Sequence, residues 1–208
     1  MKVKTRERIL SASLALFNEL GEPNVTTLLI SDELDISPGN LYYHFRSKGD
    51  IVTELFERFQ DEIHDLLAIP DDVQVDLEQL AFFLHLLFES IARYRFLYQD
   101  LVNILSRYEN LQKAFRAILD RKESGFRLLC QSLERQQLIR LNETQTDALC
   151  RQLTMTVCYW SSFDSLRDLK DRRQANPGRG VYQVLHLLMP HLPQQVQHEV
   201  LAISQDYR

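Results

Sequence analysis

Apolar residues recur along this chain at steps of three and four, the spacing of one helix face, in nearly every segment between turn signals. Ile9, Leu10, Leu16, Phe17 and Leu20, with Ser13 among them, form one stripe and predict a helix over 5–20, capped by Thr5 and ended by Gly21. Thr26-Thr27 offers the N-cap of a short second helix whose Leu29, Ile30 and Leu34 face inward. Asp35-Ile36 makes a tight turn. Ser37-Pro38 then reads as an N-cap followed by proline at the first helical position, where its missing N–H costs nothing. This third helix runs to about Phe45, and Ser47 caps a fourth whose Ile51, Val52, Leu55, Phe56 and Phe59 continue towards Leu66.

Pro70-Asp71-Asp72 marks a break, after which longer amphipathic helices follow. One carries Leu77, Leu80, Ala81, Leu84, Leu87, Phe88 and Ile91; the next carries Leu97, Leu101, Ile104 and Leu105; a third runs from Leu111 to Leu133 and tolerates Gly125. Thr144 caps a helix reaching about Leu169, the stretch 170–180 reads as an exposed loop, and two helices close the chain over 181–189 and 194–204. The fold class expected is all-α. An N-terminal three-helix unit over 1–48 is joined, through a fourth helix at about 48–68, to a larger helical domain over 49–208.

Composition narrows the function classes. The 208 residues are 45% hydrophobic and 25% charged, ordinary globular usage, with only six glycines and six prolines. No stretch approaches a membrane span, and the charged N-terminus is not followed by the apolar core of a signal peptide, so a cytoplasmic protein is expected. Cys130, Cys150 and Cys158 form no CxxC pair and read as buried free thiols; the six histidines show no metal-ligand spacing, and neither metal nor cofactor is expected. No nucleophile–base constellation stands out, so an enzyme is not expected. The net charge of −5 does not announce a nucleic-acid binder, and residues 1–59 carry seven basic residues against nine acidic. Placement matters more: four of those bases (Lys2, Lys4, Arg6, Arg8) lie in the first eight residues, and Arg46 and Lys48 follow the third helix.

The segment 26–45 has what a helix-turn-helix needs: a short helix, a tight turn, and a second helix with one face packed and one free for a major groove. Leu29, Ile30, Leu34, Ile36, Leu41 and Phe45 supply the packing; Gly39, Asn40, Tyr43 and His44 fall largely on the other side. Gly39 lets the backbone approach a duplex, Asn40 can read a base edge, and Tyr42, His44 and Lys48 can hold phosphates. Any three-helix bundle shares this spacing. The residues themselves are more specific: Thr26-Thr27 through Ser37-Pro38-Gly39-Asn40-Leu41-Tyr42-Tyr43-His44-Phe45 to Lys48 closely resembles the signature of the TetR/AcrR regulators, over about residues 5–56.

That resemblance implies a bacterial homodimer that binds a near-palindromic double-stranded DNA operator, usually as a repressor released by a small-molecule effector. It assigns DNA contacts to Thr27, Ser37, Pro38, Gly39, Asn40, Tyr42, Tyr43, His44 and Lys48. Two positions depart from it. Asp35 stands where a turn glycine is usual, and Asp tolerates the left-handed conformation better than most residues. Leu28 stands where many members carry a polar contact residue. Arg93-Tyr94-Arg95-Phe96-Leu97-Tyr98-Gln99-Asp100-Leu101 resembles a subgroup with a shared helical sensor domain, without implying a ligand. Phe83, Phe88, Tyr94, Phe96 and Tyr98 are candidates to line an effector pocket, although bundle core is the competing reading. No charged residue stands out on an apolar face as a counter-ion. Trp160, Phe163, Leu185, Leu188, Val196 and Val200 are candidates for the dimer interface. The alternatives are an adaptor whose helix-turn-helix docks a protein, and a helical enzyme.

Overall fold

Side chains that accept the first free amides mark where several helices of this chain begin. The computed structural model describes residues 4–167 and 176–208. Helix α1 spans Thr5–Leu20, α2 Thr27–Glu33, α3 Pro38–His44 and α4 Lys48–Leu66, with a 3₁₀ turn at Glu22–Asn24 between the first two. The Thr26 hydroxyl accepts from the Leu29 amide and Ser37 from the Asn40 amide, while Ser47 and Asp50 cap α4 reciprocally. Thr5 is not a cap: Lys4 holds that place without a side-chain bond, and Thr5 is the first helical residue. Gly21 ends α1 at φ 81. Asp35 turns the chain between α2 and α3 at φ 52, the left-handed conformation, which costs a non-glycine residue about 1 kcal/mol.

The remainder comprises α5 (Leu77–Arg93), α6 (Arg95–Gln99), α7 (Leu101–Arg107), α8 (Gln112–Arg135), α9 (Glu143–Arg167), α10 (Pro177–Leu188) and α11 (Gln194–Gln205). The single helix expected through 97–105 is two, because the backbone leaves the helical conformation at Asp100 (φ −133, ψ 35). Asn142, rather than Thr144, caps α9: its side chain accepts from the Gln145 amide, and Gln145 returns the bond to the Asn142 amide. Of the loop expected over 170–180, residues 168–175 lie outside the described residues. The rest is the start of α10, with Asn176 as cap, Pro177 in the first turn, and Gly178 and Gly180 buried. A Cβ at Gly180 would lie 2.4 Å from the Phe88 ring, so this glycine serves the close approach of α10 to α5 rather than a loop.

Helices α8 and α9 pack antiparallel: Lys122 meets Cys158 near one end of the seam, and Cys130 meets Cys150 further along it. Helix α10 lies on both α5 and α9, and α6 touches α1, α5 and α9. A continuous apolar cluster runs from Ile9 in α1 to Val200 in α11, so the N-terminal helices share their core with the larger bundle. The three cysteines are free and buried.

Lys122 is the exception in that core. It occupies the apolar stripe of α8 between Ile118 and Phe126, and it is 0% exposed. Its Nζ lies 2.8 Å from the Tyr98 hydroxyl, 3.6 Å from Cys158 Sγ and 4.9 Å from the centre of the Tyr98 ring. Among the described residues no carboxylate pairs with it. The expectation that no isolated charge faces the core is therefore overturned; in sequence Lys122 sits between Arg121 and Glu123, which disguises it as part of a solvated run.

Burial holds the Lys122 amine below the ordinary lysine value of 10.5, because water no longer solvates its charged form. Below that lowered value the folded state must keep a desolvated charge that the unfolded chain keeps in water. Lys122→Met should therefore raise unfolding stability by roughly 1–4 kcal/mol near neutral pH. The gain should shrink as pH rises towards 10.5, where both states of the wild-type amine become neutral. Urea unfolding of both proteins at a series of pH values checks magnitude and trend together.

Candidate nucleic-acid interface

Leu41 at 0% and Phe45 at 3% exposure anchor α3 against the core beside Ile30 of α2, which turns the opposite face of α3 outward. Pro38, Gly39 and Asn40 form its exposed N-terminal turn. Tyr42 and Tyr43 follow; Tyr43 is 85% exposed, with its ring edge-on to His44 at 5.1 Å between centres. The Thr27 and Tyr42 hydroxyls lie 3.1 Å apart, tying the start of α2 to the middle of α3. Leu28 stands beside them, 57% exposed. Thr27, Gly39, Asn40, Tyr42, Tyr43 and His44 thus share one accessible surface with an apolar side chain at its edge. The Ser37 hydroxyl is already committed to its cap.

Lys48 is placed differently. Its Nζ donates to the Glu22 carbonyl oxygen at 2.9 Å and lies 2.9 Å from Glu22 Oε1, so it turns towards the protein rather than standing free beside α3. Arg6 and Arg8 near the N-terminus, and Arg58 of α4, are likewise occupied. Arg6 pairs with Glu54 and lies over the Phe45 ring at 4.8 Å. Arg8 donates to the Leu34 carbonyl, and Arg58 forks onto Glu7 at 2.7 and 2.8 Å while also reaching Glu54. These hydrogen bonds hold the Glu7 carboxyl below its ordinary value. Arg46 is exposed and, among the described residues, makes no ion pair.

Glu22 is the residue that sequence reasoning missed. Its side chain is 1% exposed, yet it receives Lys48, Arg107 at 2.5 Å and the Tyr108 hydroxyl at 2.6 Å. Burial first, and this carboxylate second, raise the Tyr108 phenol above its ordinary value. A second clamp lies one turn back on α1. Asn18 donates to the Arg93 carbonyl at 2.8 Å and accepts from the Phe96 amide at 3.0 Å, while Arg95 donates to the Asn18 carbonyl at 3.1 Å. The Phe17 and Phe96 rings meet at 5.3 Å. Arg93–Leu101, singled out in the sequence without a role, is therefore the joint between the helix-turn-helix and the bundle.

The other nominated residues scatter. Phe88, Tyr94, Phe96 and Tyr98 are buried core with distinct partners: Phe88 against Gly180, Tyr94 against Phe59, Phe96 against Phe17 and Tyr98 against Lys122. Phe83 is half-buried. Leu185, Leu188 and Val200 cannot serve a surface contact as expected, since they are buried within their own chain where α10 lies on α5 and α9. Trp160 and Val196 are half-buried. Phe163 is exposed and shares one face of α9 with Met155, Tyr159 and Leu166, all about half or more exposed. Among the described residues there is no group of three potential metal ligands, and no helix is long and apolar enough to cross a membrane.

Comparison with known proteins gives two family matches: "Bacterial regulatory proteins, tetR family" over residues 9–55 and "Bacterial transcriptional repressor" over residues 58–200. A TetR-family transcriptional regulator from Marinobacter aquaeolei is 34% identical, with 99% of this chain and 100% of that one covered at a TM-score of 0.88. A regulator from Saccharomonospora viridis, solved in complex with choline, is 17% identical, with 92% of this chain and 98% of that one covered at a TM-score of 0.69. Among curated proteins, an HTH-type transcriptional regulator of Staphylococcus aureus is 34% identical over 77 residues, 36% of this chain and 42% of its own length. The chain thus spans less than half of the curated relatives that it matches.

Tyr108→Phe should lower unfolding stability by about 1–3 kcal/mol, the worth of a hydrogen bond to a charged group, with Lys48 left as the donor to Glu22 Oε1. Tyr43→Phe, at an exposed phenol of α3, should change stability by less than about 0.5 kcal/mol. Urea denaturation of the two variants makes the comparison.

Proposed function

This chain belongs to the TetR family of bacterial transcriptional regulators, and from that membership we propose that it is a homodimeric, sequence-specific DNA-binding repressor. It acts on a near-palindromic operator in the bacterial cytoplasm and is released by a small-molecule effector. The observation that carries this reading is the exposed surface of Thr27, Gly39, Asn40, Tyr42, Tyr43 and His44 beside the packed face of Leu41 and Phe45. Asn40 is suited to bidentate reading of an adenine edge. Tyr42, braced by Thr27, and His44 are suited to phosphate oxygens, and the exposed N-terminal turn of α3 can approach the duplex closely at Gly39. Lys48 keeps its bonds to Glu22, and one N–H is left for the same backbone. In this reading residues 1–48 bind DNA, and 49–208 sense and dimerise.

A single such module reads only a half-site, so two copies are needed for affinity and specificity. The apolar face of Met155, Tyr159, Phe163 and Leu166 on α9 supports a two-fold interface there, where identical faces of two copies can meet. Release requires that the bundle move the reading heads, and the clamps at Asn18 and Glu22 are the links through which α6 and α7 can do so. The relatives are regulators, which favours this reading over an enzyme or an adaptor.

Incubated with sheared DNA from its own genome, the protein should retain fragments sharing a near-palindromic sequence, with affinity falling as salt rises. Tyr42→Ala should weaken that binding by about tenfold, the worth of one lost contact to phosphate. Indifference between the retained fragments and random duplex would refute the reading. In sedimentation velocity the wild type should run as a dimer and Tyr159→Arg as a folded monomer; a variant that stays dimeric moves the interface away from this face of α9.

A further inference from the structure

DNA binding and dimerisation do not require a lysine in the middle of the bundle. Lys122 finds two partners there, the Tyr98 hydroxyl and the Cys158 thiol, and neither is an ordinary anion. A second observation falls on the same seam. The Thr154 hydroxyl is buried and has no hydrogen-bond partner, and it lies one turn from Cys158 on the same face of α9. The walls are aromatic: Phe59 and Phe115 pack on the Tyr98 ring at 5.6 and 6.0 Å.

We propose that Lys122, Tyr98 and Thr154 form the head-group site for an effector with a single carboxylate on an apolar body. The proposal rests on the reading of this chain as an effector-released regulator. One carboxylate supplies the negative charge that Lys122 lacks and the acceptors that Lys122, Tyr98 and Thr154 can fill. A dianionic head such as a phosphate would leave charge uncompensated in the core, and a neutral head would leave the ammonium as it is. The apolar body has to open the packing of Phe59 and Phe115 on the Tyr98 ring to seat against them.

The same geometry says how binding reaches DNA. Lys122 donates to the Tyr98 hydroxyl at 2.8 Å, and a carboxylate that accepts from both draws the Tyr98 O–H and a further Lys122 N–H towards itself, which reorients Tyr98. Tyr98 lies on α6, and two residues earlier Phe96 takes the Asn18 side chain of α1. Displacing the five-residue α6 therefore pulls on the clamp that orients the helix-turn-helix.

Full-length protein is titrated with octanoate and phenylacetate, and with the uncharged octan-1-ol and phenylacetamide. Binding is read from the fluorescence of Trp160, the single tryptophan, and from the thermal midpoint. Both carboxylates should raise the midpoint and the neutral compounds should not. Lys122→Met should stay folded and lose carboxylate affinity by about tenfold or more, and Thr154→Val should lose less. Equal binding of the neutral compounds, binding that survives Lys122→Met, or no carboxylate binding would each overturn the site. Retention of operator DNA, measured alongside, separates the two readings. A Lys122-dependent carboxylate that leaves retention unchanged supports the site and tells against effector release. A neutral compound that releases DNA while no carboxylate binds overturns the site and leaves release standing.

Discussion

Burial of the Glu22 carboxylate is the constraint on which the arrangement of this molecule turns. A carboxylate removed from water loses several kcal/mol of solvation unless fixed donors replace it. Here the donors come from three places in the chain: Lys48 opens α4, Arg107 ends α7 and Tyr108 follows it. Satisfying one charge therefore fixes the end of α1 against both the linking helix and the bundle. Arg107 also reaches Asp100 at 3.3 Å, which extends the network to the break between α6 and α7. The helix-turn-helix is held at two points, by hydrogen bonds and a ring contact at Phe17–Asn18 of α1 and by paired charges at Glu22.

Helix α6 joins the Asn18 clamp to the bundle centre. Its Phe96 faces α1 and its Tyr98 faces α8 and α9, so a five-residue helix touches the reading unit and the buried lysine at once. Asp100 gives this helix a second end that a continuous helix through 97–105 would lack. The break confines the element to five residues between two non-helical positions, Tyr94 and Asp100. A long helix would have distributed a displacement along its length.

Local chemistry made most of the fold legible. Thr26, Ser37-Pro38 and Ser47 mark the starts of α2, α3 and α4 because a cap needs only a side chain and an amide a few residues away. Asp35 read as a left-handed turn residue for a similar reason. Glu22 was invisible because its partners lie 26, 85 and 86 residues away. Lys122 was hidden by charged neighbours, although its distance of four residues from both Ile118 and Phe126 sets it on the apolar stripe. The apolar faces of α10 and α11 were legible as faces, but periodicity does not say whether a face meets its own core or a second copy. Leu185, Leu188 and Val200 took the first course and Phe163 remained outside.

The internal pairing of Arg6, Arg58 and Lys48 has a consequence on the scale of a chromosome. Cations that already neutralise Glu54, Glu7 and Glu22 release few counter-ions from an arbitrary stretch of duplex. Sequence-independent adhesion, which comes almost entirely from that release, is correspondingly weak for a chain of net charge −5. For a protein that reads DNA in this way, the rest of the genome competes poorly for each molecule. On the proposed function, weaker sequence-independent adhesion shortens sliding along the duplex and favours encounters with the operator from solution.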